Sequence, residues 1–68
     1  MTPETLGSMV RQRRKALGLT QIEAAGLCGV GERFLREFEL GKPTVQLGRV
    51  LKVLTGLGID LKLEVRQP

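Results

Sequence analysis

Four cations, Arg11, Arg13, Arg14 and Lys15, fall within five positions of this sequence. A run of that density can neutralise phosphates on a polyanion, or it can simply solvate one face of a helix. Little else in the chain could do covalent chemistry. There is one cysteine, Cys28, and neither histidine nor tyrosine. A nucleophile has no imidazole to activate it, a Cys/His metal site cannot be assembled, and no disulfide can form within the chain. These features point away from an enzyme, and neither a cofactor nor a metal ion is expected. Eleven Lys and Arg against seven Asp and Glu leave a net charge of +4 and an isoelectric point near 10.0. That balance favours nucleic acid or another polyanion as the partner.

At 68 residues the chain is one domain at most and lies near the lower size limit for a self-sufficient core. Small domains usually compensate with disulfides, a metal or a partner subunit. With the first two excluded, a homodimer is expected. No apolar run approaches the roughly 18 residues of a membrane span, and the N-terminus lacks the apolar stretch of a signal peptide. The expected compartment is therefore the cytoplasm.

Glycine divides the chain into elements. Residues 4–17 place Leu6, Val10 and Leu17, with Met9 beside them, on one helical stripe that Gly18 can end. Thr20 followed by Glu23 is a capping-box start for a helix over residues 21–28, which Gly29 stops. A third helix is predicted from about Gly31 to Leu40, closed by Gly41, Lys42 and Pro43. Thr44 can cap a fourth, over 45–57, whose Leu47, Val50, Leu51 and Leu54 recur at helical spacing, with Gly58 at its end. After that the period changes. Ile59, Leu61, Leu63 and Val65 alternate with Asp60, Lys62, Glu64 and Arg66, the two-residue repeat of a strand with one buried face. The chain offers it no second strand. Its economical partner is the same strand of a second copy, antiparallel across a two-fold axis; a frayed tail or an extra helical turn is the alternative. The expected division is 1–58 for the helical domain and 59–68 for a dimerisation strand with a short tail.

Residues 21–40 read as two short helices about a glycine-centred turn. A helix-turn-helix needs a small residue where its helices touch, a turn residue tolerant of positive φ, and an apolar inner face on the second helix. Ala25, Gly29, Val30, Leu35 and Phe38 meet those demands in order. The segment GLTQIEAAGLCGVGERFLREFELGKPT resembles the Xre/lambda-repressor-like helix-turn-helix proteins. Gly18, Leu19, Thr20, Gln21, Glu23, Ala25, Gly29, Val30, Glu39, Gly41 and Lys42 carry the match. The continuation GKPTVQLGRVLKVLTGLGIDLKLEV is similar to the HipB-type antitoxin branch. One departure is Gly31, which stands where a Ser or Thr usually caps the recognition helix.

The resemblance implies a mainly α domain of four to five helices, with a C-terminal strand pairing across a homodimer. It also implies a sequence-specific repressor, the antitoxin of a toxin–antitoxin operon that regulates its own promoter. Double-stranded DNA with an inverted-repeat operator and a HipA-like kinase toxin are the implied partners. A toxin-neutralising inhibitor with secondary DNA binding, or a stand-alone phage-type repressor, are the alternatives. Carried over residue by residue, Glu32, Arg33, Arg36 and Glu37 face bases, while Gln21, Gly31, Lys42, Thr44 and Gln46 meet phosphates. Ile59, Leu61, Leu63 and Val65 are the dimerisation residues. Arg14 is implied to form a partly buried ion pair with Glu39, leaving Arg11, Arg13 and Lys15 to a diffuse positive field. Cys28 and Phe38 are expected in the core, and Phe34 either extends that core or faces DNA.

Overall fold

The computed structural model describes residues 1–67, so Pro68, the last residue of the expected tail, lies outside the described residues. Four helices follow one another: α1 (Pro3–Ala16), α2 (Gln21–Cys28), α3 (Glu32–Glu39) and α4 (Leu47–Gly56). Each starts where the local chemistry allows. Thr2 caps α1, its side chain accepting from the Thr5 N–H at 3.1 Å, and Pro3 occupies the first turn, where a missing N–H costs nothing. Arg13, Arg14 and Lys15 lie in the last turn of α1, where cations complement the helix dipole. The cationic run is thus a helix-terminal feature first. At α2 the capping box is complete. Thr20 Oγ1 accepts from the Glu23 N–H at 3.1 Å, and Glu23 Oε1 accepts from the Thr20 N–H at 2.9 Å.

Gly29 ends α2 at φ 71, a conformation that a β-carbon would strain, and the Val30 N–H returns to the Ala25 carbonyl at 3.0 Å. This turn sets the angle between α2 and α3. The helix α1 packs on α3, and α2 packs on both α3 and α4. Where α1 crosses α3 the backbones nearly touch. A β-carbon on Gly7 would collide with the Phe38 carbonyl and lie 2.9 Å from that of Glu39.

The expected stripes on α1 and α4 need correction. On α1 the buried positions are Gly7, Val10 and Arg14, with Leu6 partly covered, whereas Met9 and Leu17 are exposed. On α4 the core takes Val50, Val53 and Leu54 and then Leu57, each below 7% exposure, while Leu47 and Leu51 stay 68% and 43% exposed. Both α4 sets obey the same i, i+3, i+4, i+7 spacing and differ only by rotation about the axis. The start of α4 moves too. Thr44 lies in a turn with Pro43, the backbone at Gln46 is extended, and the Gln46 N-cap makes no side-chain hydrogen bond. Thr44 is therefore not the cap. The remaining core comes from Val10, Ala24, Ala25, Cys28, Leu35 and Phe38. Burial pushes the Cys28 thiol up and keeps it a small packing group, with Sγ 3.7 Å from the Val53 carbonyl.

The ion pair implied for Arg14 and Glu39 is present and buried. Arg14 Nε donates to Glu39 Oε2 at 2.6 Å and Nη2 donates to Oε1 at 2.9 Å, the parallel fork of a bidentate pair. The third nitrogen, Nη1, donates to the Leu19 carbonyl at 2.9 Å, and Gln21 Nε2 donates to Glu39 Oε1 at 3.1 Å. The hydrogen bond with Glu39 holds the Arg14 pKa above its ordinary value despite burial. Arg13 is also bound, contrary to the expected diffuse role. Its Nε donates at 2.8 Å to the Leu57 carbonyl at the end of α4.

Beyond α4 the Ile59 N–H donates to the Leu54 carbonyl at 2.8 Å, and the Ile59 side chain rests half-buried on the core. Leu61, Leu63 and Val65 are 53%, 87% and 92% exposed. Among the described residues no segment pairs as a strand, since a single chain presents no edge to receive one.

Replacing Glu39 with Ala leaves the Arg14 guanidinium buried without its counter-charge. The expected cost is about 3–5 kcal/mol of folding stability, read from urea midpoints at constant m. Pairing Arg14→Met with Glu39→Leu should recover most of that loss.

Candidate nucleic-acid interface

With Leu35 and Phe38 turned into the core, α3 presents its opposite face outward. Glu32, Arg33 and Arg36 are exposed there, and Glu37 is half-buried. The four expected base-facing residues therefore share one face of one helix. They also pair with one another. Arg33 Nε lies 3.5 Å from Glu37 Oε1, and Arg36 Nη2 lies 3.6 Å from Glu32 Oε1, both at i, i+4 spacing. Glu37 reaches further. Its Oε2 accepts from Lys42 Nζ at 2.7 Å, tying α3 to the loop that follows it. The Lys42 ammonium holds the Glu37 carboxyl below the usual carboxylate range, and Arg33 and Arg36 add to the effect. These pairs are exposed and screened by salt, so a phosphate or a base can displace them at small cost.

A cleft of about 360 Å³ opens between the start of α3 and the start of α4. Gly31, Arg33, Glu37, Lys42, Thr44 and Gln46 all line it. The expected base-facing and phosphate-facing residues thus converge from three segments onto one polar concavity. Gln21, Glu32 and Arg36 lie outside it. Gln21 in particular is half-buried, with its amide held against Glu39.

The position of Phe34, left open by the sequence, is now defined. The ring is partly buried against the core, its centroid 6.0 Å from that of Phe38 at 47°. The guanidinium of Arg49 lies over it, with Cζ 5.8 Å from the ring centroid. Arg49 lines the same cleft and escaped sequence reasoning. It stands alone in the chain, outside any basic run, and only its i+3 offset from Gln46 hinted at a shared face.

Among the described residues no group of three or more His, Cys, Asp or Glu could hold a metal, and no helix is long and apolar enough to cross a membrane.

Residues 10–63 match the helix-turn-helix family model HTH_3. Over 62 residues the chain is 48% identical to the uncharacterized HTH-type transcriptional regulator y4mF of Sinorhizobium fredii, covering 91% of this chain and 82% of that protein. In structure it is similar to the HipA-HipB-O2-O3 complex, with a TM-score of 0.86 at 24% identity and coverage of 98% of this chain and 94% of that one. It is also similar to a HipB-O1-O2 complex, with a TM-score of 0.84 at 25% identity over 96% and 94% of the two chains.

The Gly31 N-cap offers no side chain to the first turn of α3, yet its φ of -75 suits any residue and a β-carbon there would meet nothing within 4 Å. Gly31→Ser should therefore raise stability by a few tenths of a kcal/mol, on the order of the difference between these caps, visible as a small rise in Tm.

Proposed function

The chain belongs to the helix-turn-helix family of transcriptional regulators, and from that premise we propose that it is a homodimeric, sequence-specific repressor acting as an antitoxin that controls its own promoter. The observation that carries the DNA-binding reading is the outward face of α3. Arg33, with its side chain 85% exposed, and Arg36 project from a helix whose other face is locked into the core, beside a cleft holding Lys42. A rigid rod bearing arginines fits the major groove, where a guanidinium pairs bidentately with guanine O6 and N7.

In this reading Arg33 turns its guanidinium to a guanine edge. Lys42 still engages Glu37, which remains charged and either accepts from a cytosine amine or orients Arg33. Glu32 and Arg36 complete the base-facing set. The backbone is held from two sides. Gln21 donates from the start of α2, while the open N–H groups after Gly31 act with Lys42, Thr44 and Gln46 on the opposite side. These contacts fix register and carry no sequence information of their own.

Two copies supply the second half-site. Residues 1–58 form the DNA-binding unit and 59–68 the dimerisation strand with its short tail. The alternating apolar side chains Leu61, Leu63 and Val65 are largely unburied in one chain, which supports their meeting the same residues of a second copy. Ile59, already resting on the core, anchors that strand to each subunit. Recognition helices paired in this way read an inverted repeat, with half-sites about 34 Å apart on one face of the duplex.

A HipA-like kinase is the proposed protein partner. The fold shared with HipB, which one neighbouring structure holds in complex with HipA, supports this reading. The outcome that would count against it is co-purification from the native host yielding no kinase. A cytoplasmic location follows from both proposed partners.

Two measurements test the DNA reading. Arg33→Ala should weaken binding to a selected duplex by about 1–3 kcal/mol and relax the preference at one base pair. Equal loss on every sequence would instead make Arg33 a phosphate contact. In Leu63→Asp a charge enters the proposed strand interface, and light scattering should find monomers that no longer retain a two-half-site duplex. A Leu63→Asp dimer of unchanged affinity would remove the strand from the interface.

A further inference from the structure

The cations around the cleft differ in one respect. Arg33 and Lys42 share the Glu37 carboxylate, and Arg36 faces Glu32. Among the described residues Arg49 has no carboxylate partner, and its guanidinium lies over the Phe34 ring instead. The face of an aromatic ring is negative, so it attracts and orients a guanidinium placed over it. Phe34 is a firm platform for that purpose. Its ring packs against Phe38, which is only 2% exposed, and against the core beneath.

The ring face draws the guanidinium by charge and leaves its N–H donors unclaimed by any carboxylate, and Arg49 borders the cleft that Lys42, Thr44 and Gln46 also line. We propose that Arg49 is a DNA-phosphate contact and that Phe34 is its positioning residue. The ring holds an unpaired guanidinium beside the cleft before DNA arrives. Ordering a long flexible side chain during binding costs affinity, and the ring contact removes part of that cost in advance. A phosphodiester oxygen then meets a guanidinium already held beside the cleft. No carboxylate has to be displaced first, unlike at Arg33 and Arg36. The role rests on the DNA-binding reading above and extends it to two residues outside the family-derived contact set.

The test uses the full-length chain and a duplex selected from a random-sequence library by the wild-type protein, with binding followed by fluorescence anisotropy over a range of KCl concentrations. Arg49→Gln should flatten the slope of log K against log salt by about 0.9, the contribution of one phosphate, and weaken binding several-fold near physiological salt. Phe34→Leu should weaken binding while keeping the slope close to wild type, and should add nothing further in the Arg49→Gln background. Phe34→Tyr, which keeps the ring, should bind like wild type. Thermal melts supply the folded fraction for each variant.

An unchanged slope in Arg49→Gln overturns the contact. A Phe34→Leu loss of equal size with and without Arg49 overturns the positioning role. Should Phe34→Leu not fold, Arg49→Lys carries that test. Its ammonium keeps the charge but lacks the planar fork, so reduced affinity supports the proposal and wild-type affinity overturns it. A wild-type chain with no salt-dependent binding to any selected duplex would remove the DNA-binding reading itself, whereas the variant results bear on Arg49 and Phe34 alone.

Discussion

Glu39 sits near the end of α3 and receives donors from two other segments. Arg14 of α1 binds it through two nitrogens, and Gln21 at the start of α2 adds a third contact. The remaining Arg14 nitrogen reaches the Leu19 carbonyl in the loop between α1 and α2. One buried carboxylate thus fixes the position of the helix that carries the candidate recognition residues. Burying two charges is costly, and the cost is offset only when geometry and additional hydrogen bonds are good. Here the pair is bidentate and no buried side-chain polar atom lacks a partner among the described residues. The neighbouring contact of Gly7 with the end of α3 brings α1 close enough for Arg14 to reach.

The exposed face of α3 follows the opposite electrostatic rule. Its pairs are longer, solvent-exposed and arranged at i, i+4, so water and salt compete with them. Inside the domain a charge pair acts as a rigid fastener. Outside, the same residue types form a provisional arrangement that a polyanion can replace. Glu37 lies between the two regimes, half-covered and bound to Lys42 from the following loop. Its contact couples the orientation of the recognition face to the loop that lines the cleft.

A domain this small carries a thin core, and its close approaches show it. Small side chains, Ala24 and Ala25 among them, let short helices meet, while the larger apolar residues come mostly from α3 and α4. Leu61, Leu63 and Val65 contribute nothing to that core in a single chain. Under the proposed dimer they supply burial that one copy lacks, so association and DNA geometry would depend on the same segment.

Local signals were legible in the sequence wherever neighbouring residues decide the outcome. The Thr20–Glu23 capping box, the Gly29 turn and the limits of α2 each depend on groups a few residues apart, and the structure places them as expected. The Arg14–Glu39 pair spans 25 residues and was reachable only through family resemblance, because spacing alone does not specify a distant partner. The rotation of α4 was not legible, since Leu47, Val50, Leu51 and Leu54 fit the same helical period as Val50, Val53, Leu54 and Leu57. Packing against α2 selected the second set. Arg13 was assigned to a diffuse field and Arg49 escaped notice, for the Leu57 carbonyl and the Phe34 ring become their neighbours only after the chain has folded back on itself. The order of residues determined the limits of α2 and, to within a residue, those of α1 and α3, because capping and turn chemistry act over a few bonds. The start of α4, where no side chain caps the helix, was misread. Tertiary structure decided which faces are buried and which charges are free, because those depend on contacts between segments that the linear order does not bring together.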